Sequence, residues 1–212
     1  MSEPLARRPL SIPGRTVVFD YGEVISRTPA PEYRRVIEEL AGVESAALWA
    51  SYEKHRDALD EGSQSVVDYW GAIAADTGAT WPISRVHELW AADFPAWLRP
   101  EPGTIDVIAD LKAGGTRLAV LSNAGFDYGA PLRYSPVGSL FDDVFVSAEL
   151  HDLKPSETIY RHVLTELGIT PEEMVFIDNK RINVEGAEAL GIVGHVFTSP
   201  PELRVFLETL AS

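Results

Sequence analysis

Five short apolar runs recur along the chain without the alternation of a strand that has one wet face, and three of them end on side chains able to do chemistry. Thr16-Val17-Val18-Phe19 runs into Asp20 and then Tyr21-Gly22; Arg117-Leu118-Ala119-Val120-Leu121 ends in Ser122-Asn123; Met174-Val175-Phe176-Ile177 ends in Asp178-Asn179. The stretches 143–147 and 192–197 complete the set. Helical patterns follow most of them, at 104–113 with a Gly114-Gly115 stop, at 156–167, at 183–190 and at 200–210. A strand buried on both faces reads as a continuous apolar run. Strand and helix in alternation therefore predict an α/β fold, a Rossmann-like doubly wound parallel sheet covered on both sides.

The interval from Tyr21 to Thr116 is too long for a single crossover helix and carries helical patterns of its own. The spacing predicts an inserted α-helical cap with helices at 31–40, 45–59, 63–75 (Ser63 as N-cap) and 82–92. The expected organisation is a core of residues 15–25 and 100–212, a cap of residues 26–99 and a loose tail of residues 1–14. Trp49, Trp70, Trp81, Trp90 and Trp97 all fall in or beside the cap. They build a small apolar centre there, or one or two of them line a substrate pocket.

Charge and cysteine content narrow the functional classes. Across 212 residues, 18 basic against 32 acidic side chains give a net charge of −14. Such a field repels phosphate backbones and anionic lipid, which speaks against nucleic-acid and membrane-surface partners. With no cysteine, disulfides, thiolate metal sites and a Cys nucleophile are excluded. No apolar run approaches the ~18 residues of a membrane span. Arg7-Arg8 is followed by Pro9, Pro13 and Gly14 rather than by a secretory apolar stretch, so a cytoplasmic protein is expected. His87, His151, His162 and His195 have no ligand spacing, and nothing fixes an oligomeric state.

In an open parallel sheet, ligands bind beyond the carboxyl ends of the strands near the point where strand order reverses. Asp20, Ser122 and Asp178 stand at such ends, and Lys154 lies in a Pro-containing loop after the third run. Together they are what covalent phosphoryl transfer requires. Asp20 attacks phosphorus, Lys154 keeps Asp20 ionised and offsets phosphoryl charge, and Ser122 donates to a phosphoryl oxygen. Each has a structural alternative: Asp20 as a turn residue, Ser122-Asn123 as a helix cap, Lys154 as a loop lysine. Asn183 reads as the N-cap of the helix ending at Leu190, in contact with the site from behind. In the cap, Tyr52, His55 and Arg56 share one helix face. Arg56 there suits an anionic substrate, or belongs to a salt-bridged face.

At these residues the chain resembles the haloacid dehalogenase superfamily, in the subclass with a helical cap after the first strand. The matching segments are Val17-Val18-Phe19-Asp20-Tyr21-Gly22-Glu23-Val24-Ile25, Leu121-Ser122-Asn123, Leu153-Lys154-Pro155-Ser156 with Ile159-Tyr160, and Val175-Phe176-Ile177-Asp178-Asn179 with Asn183-Val184-Glu185-Gly186-Ala187 and Leu190-Gly191. The resemblance implies an aspartyl nucleophile at Asp20 and magnesium (Mg2+)-dependent phosphatase activity on a small phosphorylated metabolite. It also implies substrate contacts from Ser122, Asn123 and Lys154, and a metal site formed by Asp20, the Gly22 carbonyl, Asp178 and Asn179.

Two positions depart from the pattern. Gly22 stands where phosphatases of this family usually carry a second Asp, the acid for the leaving group. Glu23 is the neighbouring candidate, although a side chain one residue along an extended turn is expected to point away. Asp178-Asn179 stands where the family commonly has two acids; Asn179 matches the direct metal ligand of many relatives and Asp178 the group that orients the lysine. Two alternatives therefore stay open. One is a 2-haloacid dehalogenase, which needs neither magnesium nor a leaving-group proton, although Val24 replaces the Thr of that branch and its Ser-Ser-Asn pattern is missing. The other is an impaired relative that keeps the pocket as a ligand-binding or interaction module.

Overall fold

The computed structural model describes residues 9–211. Its five strands, β1 (Thr16–Phe19), β2 (Arg117–Ser122), β3 (Asp143–Val146), β4 (Met174–Asp178) and β5 (Val193–Val196), form one sheet in the order β3-β2-β1-β4-β5, parallel throughout. Strand order reverses between β1 and β4, so Asp20 and Asp178 flank the crevice where such sheets bind ligands.

The register explains why the runs are continuous. Val17 pairs with Leu118 and Val175, and these side chains, with Phe19, Val120 and Ile177, pack against Val107, Ile108, Leu203 and Leu207. Val18, Ala119 and Phe176 face the other way, onto Ile159, Tyr160, Val163 and Ala187. Both faces of every central strand are therefore dry, and no polar alternation is tolerated.

In chain order the helices are α1 (Pro31–Ala41), α2 (Ser45–Asp60), α3 (Val66–Thr77), α4 (Ile83–Asp93), α5 (Pro102–Ala113), α6 (Phe126–Arg133), α7 (Ser147–Leu150), α8 (Glu157–Leu167), α9 (Arg181–Glu188) and α10 (Pro200–Leu210), with a 3₁₀ turn at Phe94–Leu98. Helices α5 and α10 cover one face of the sheet, α8 and α9 the other. None of the described helices is long and apolar enough to cross a membrane.

Helices α1 to α4 have an apolar centre of their own, built on Ile37, Leu48, Tyr69, Trp70, Ile73 and Leu89, with Trp49, Trp81 and Trp90 packed around it. The chain enters and leaves this segment side by side: Arg27 N donates to Arg99 O and Glu101 N to Ile25 O, both at 2.8 Å, around the antiparallel bridge Ser26–Pro100. The far end of α2 is seated on the core by Ser147 Oγ, which donates to Asp60 O at 2.5 Å.

Several local expectations change. Helix α3 is capped by Ser65, not Ser63, because Ser65 and Asp68 satisfy each other's backbone N–H groups in a capping box while Ser63 Oγ turns back to Ala58 O. Asn183 is not an N-cap: α9 starts at Arg181, with Lys180 in the capping position. Helices α6 and α7 were not expected, the first being interrupted by Pro131 and the second a single turn. Of the stretch 1–14 expected to be loose, residues 1–8 lie outside the described residues. Leu10 and Ile12, however, are buried in the core, tied by Leu10 N to Asp110 O and Ile12 N to Thr116 Oγ1 at 3.0 Å.

Candidate active site

Asp20 follows the last residue of β1, its backbone N–H donating to Ile177 O of β4 at 2.8 Å, so its side chain emerges at the crevice. There Lys154 Nζ donates to Asp20 Oδ1 (2.8 Å), Asp178 Oδ2 (2.7 Å) and Leu121 O (2.8 Å). All three ammonium protons are used, and the Lys154 side chain is 1% exposed. Burial pushes Asp20 from the ordinary 3.8 up to about 6, even though Lys154 pulls it down. Burial works against the Lys154 charge as well, but the two facing carboxylates outweigh it and raise Lys154 above its ordinary value.

Asp178 is fully buried and has no free oxygen. Its Oδ2 also accepts from Asn183 Nδ2 at 3.0 Å, and its Oδ1 from the Lys180 backbone N–H at 2.7 Å. Its oxygens thus hold Lys154 and the start of α9, the lysine-orienting position that the resemblance gives Asp178. Asn183 does contact the site from behind, as expected, through its side chain; its carbonyl accepts from the Tyr160 hydroxyl at 2.7 Å.

Ser122 and Asn123 do not cap α6, whose N-cap is Gly125 with no side-chain bond. Ser122 lines the cleft. Asn123 turns its amide onto the Lys154 backbone, Nδ2 to O and N to Oδ1, both 3.0 Å. Asn123 thus fixes the loop that delivers the lysine, and it also lines the cleft.

On the other flank, Glu23 has φ +59°, a left-handed conformation uncommon for a residue with a Cβ. Contrary to the expectation for an extended turn, its side chain reaches the cleft. Glu23 Oε2 accepts from Asn179 Nδ2 at 3.0 Å and Oε1 from Thr28 Oγ1 at 2.8 Å. The remaining Asn179 atom, Oδ1, is shut off from solvent and has no hydrogen-bond partner.

These groups open into a cleft of about 220 Å³ between the sheet edge and α2. Arg56 lines it, but its Nε is paired with Asp60 at 2.9 Å and its Nη1 donates to the Tyr52 hydroxyl at 3.1 Å, which itself donates to Asp93 Oδ1 at 2.9 Å. His55 does not share this wall; it pairs with Asp76. Of the tryptophans, Trp70 sits in the α1–α4 centre with Trp49, Trp81 and Trp90 packed around it, as the first reading has it, while Trp97 lines the cleft with Tyr128. The residues that sequence reasoning missed are Lys180, Tyr128 and Asp60. Lys180 alone carried a signal, two positions beyond a strand-end acid.

Among the described residues no cluster of three or more His, Asp or Glu side chains forms a metal cage. Asp20, Gly22 and Asn179 nevertheless line the same cleft, and with the Asp20 carboxylate, the Gly22 backbone carbonyl and the unpartnered Asn179 Oδ1 they carry a partial set of oxygen donors. Magnesium is held by one or two carboxylates together with waters and substrate phosphate rather than by an all-protein cage, so this donor set fits it.

Comparison with known proteins gives one family. A family model for haloacid dehalogenase-like hydrolases matches residues 15–191. A phosphoglycolate phosphatase from Salmonella typhi is 30% identical over 193 residues, 85% of this chain and 73% of that protein. The sesquiterpene phosphatase astK of Aspergillus oryzae is 24% identical over 85% of this chain and 88% of its own length. The drimenol cyclase drtB of Aspergillus calidoustus is 24% identical over 90% of this chain, which spans only 35% of that longer protein. Among solved structures, a HAD family enzyme from Bacteroides thetaiotaomicron in complex with magnesium and inorganic phosphate superposes with a TM-score of 0.67 (19% identity, 87% of this chain and 94% of that one). An L-2-haloacid dehalogenase from Xanthobacter autotrophicus superposes with a TM-score of 0.62 (19% identity, 85% and 76%).

Proposed function

The chain belongs to the haloacid dehalogenase-like hydrolases, and from that premise we propose that it is a magnesium-dependent phosphatase acting on a small phosphorylated metabolite through an aspartyl-phosphate. The observation that carries this reading is the buried Lys154 bridge between Asp20 and Asp178, which presents an aspartate oxygen at the bottom of a cleft together with a serine hydroxyl. The phosphatases among its relatives support it.

In the proposed reaction a carboxylate oxygen of Asp20 attacks phosphorus in line with the leaving oxygen. Ser122 donates to a non-bridging phosphoryl oxygen, and Lys154 balances the charge that Asp20 shares with it. The P–O bond to the leaving group breaks and the departing oxygen takes its proton from solvent water, since no acid stands at position 22. A second water then attacks phosphorus of the aspartyl-phosphate, loses its proton to solvent, and breaks the bond from phosphorus to Asp20, releasing inorganic phosphate and returning Asp20 as a carboxylate. When bound, magnesium held by Asp20, the Gly22 carbonyl and Asn179 supplies charge neutralisation to the phosphoryl oxygens. Helices α1 to α4 act as the cap that roofs the cleft, and Arg56 contributes to binding while its charge remains shared with Asp60.

The test is phosphate release from an aryl phosphate with magnesium. Activity is expected to vanish with chelator and to fall at least ~10³-fold in Asp20→Asn. Phosphate release that persists in Asp20→Asn, or chelator-insensitive halide release from a 2-haloacid, would replace this reading with another.

A further inference from the structure

The turn after Asp20 carries a carboxylate that the reaction above does not use. Glu23 is the first residue after Gly22, and its left-handed φ of +59° carries the side chain across the turn to the end of β4. Two donors hold it there, the Thr28 hydroxyl on Oε1 and the Asn179 amide on Oε2. Both its oxygens are therefore engaged as acceptors. By pulling on Nδ2, Glu23 also fixes the orientation of the Asn179 amide, so that Oδ1 is the atom turned away from it, buried and without a partner.

Charge explains why such a device belongs here. Asp178 is committed to Lys154, Asn183 and Lys180, and Asp20 shares its charge with Lys154. A divalent ion facing Asp20, the Gly22 carbonyl and an amide oxygen meets a single, already shared, negative charge. Hard cations of this kind take their affinity largely from the number of charged oxygens. Glu23 restores the missing one.

We propose that Glu23 and Asn179 form one unit of the cation site, Asn179 Oδ1 as the ligand and Glu23 as the carboxylate that orients it and supplies its lost charge. The proposal rests on the magnesium-dependent reading above and deepens it: the acid absent from position 179 has been relocated to position 23.

The experiment is titration of the full chain, free of substrate, with Mn2+ followed by the electron paramagnetic resonance of the free ion, and with Mg2+ as competitor. Glu23→Gln is expected to weaken Mn2+ binding about tenfold or more, as loss of an orienting carboxylate does at other metal sites. Adding Asn179→Asp to Glu23→Gln is expected to recover most of that loss. Equal affinity of Glu23→Gln and the unsubstituted protein overturns the proposal and leaves the phosphatase reading standing, since phosphate release would still depend on Asp20. A chain that binds no Mn2+ at millimolar concentration overturns both. Asn179→Asp alone provides a second check that does not need Glu23→Gln to fold. It sets two carboxylates face to face, so its metal-free melting temperature should drop and Mn2+ should raise it by more than in the unsubstituted protein; an unchanged metal-free melting temperature counts against the unit.

Discussion

Lys154 is the residue on which the electrostatics of the crevice turn. Its ammonium is the counter-charge to two carboxylates that are themselves almost entirely buried. Removing one partner of a buried ion pair costs far more than the pair contributes, because the charge left behind has lost both water and its neighbour. Lys154→Met is therefore expected to lower unfolding free energy at neutral pH by about 3–5 kcal/mol, read from urea denaturation. A loss under ~1 kcal/mol would mean that water reaches the pair. Gly22 works in the opposite sense, as a group the site lacks. A Cβ placed there would have Trp97 Cζ3 as its nearest neighbour, at 3.9 Å, an ordinary contact, so a side chain can start from this position without a clash at Cβ. Without an acid at this position, turnover should depend steeply on how readily the leaving oxygen departs. Across a series of aryl phosphates Gly22→Asp is expected to flatten that dependence and to raise the rate for the poorest leaving groups by ~10²-fold or more. A shallow slope already in the unsubstituted protein would indicate another proton donor, and the same steep slope in both proteins would mean that an aspartate at position 22 does not reach the leaving oxygen. Asp20, Ser122 and Lys154 could be found in the sequence because strand ends and a proline loop place them by rule. Glu23 could not, since the direction of its side chain depends on one backbone angle that no neighbouring residue type announces.

Elements were legible to the degree that one periodicity ruled them. The runs at β1, β2 and β4 became strands buried on both faces, those at β3 and β5 became half-buried edge strands, and α10 keeps the expected bounds, Pro200–Leu210, because Ser199 caps it and proline opens it. α6 escaped notice since Pro131 breaks its pattern and its length barely exceeds two turns. α3 shifted by three residues because two serines, Ser63 and Ser65, competed for the cap and only Ser65 has an acid three positions on. The contact between β5 and α10 carries a pH dependence of its own. His195 of β5 stacks on Phe206 of α10 at 4.1 Å, and its Nε2 is buried without a hydrogen-bond partner. Burial lowers His195 below the ordinary 6.5, with Glu202 offsetting part of the effect. In the pH range below 6.5 the unfolded chain then binds the proton more readily than the folded one, so this contact loses stability as pH falls. His195→Phe keeps the stack and abolishes the titration. Its unfolding free energy should decline less than that of the unsubstituted protein between about pH 7 and about pH 5. Parallel curves for the two proteins would exclude His195 as the source.

At the scale of the whole molecule, the charge of −14 opposes the proposed substrate. The cleft itself offers only partial relief, because Arg56 is paired with Asp60 and Lys154 with two aspartates, leaving the Lys180 side chain as the lining cation with no ion pair among the described residues. A phosphate monoester dianion therefore approaches against the field until it is within reach of the site. Raising ionic strength from about 10 mM to about 150 mM shortens the screening length from ~30 Å to ~8 Å. This removes most of the long-range repulsion while leaving contacts inside the cleft nearly intact. With magnesium saturating, kcat/KM for an aryl phosphate is expected to rise several-fold over that range while kcat stays level, the reverse of the salt effect on an electrostatically steered enzyme. Lys180→Gln, by deleting the lining cation, should make the rise steeper at low salt and leave the high-salt limit lower. If kcat/KM falls with salt instead, the local field of the cleft reaches beyond the molecular surface, and the acidic exterior has no part in substrate capture.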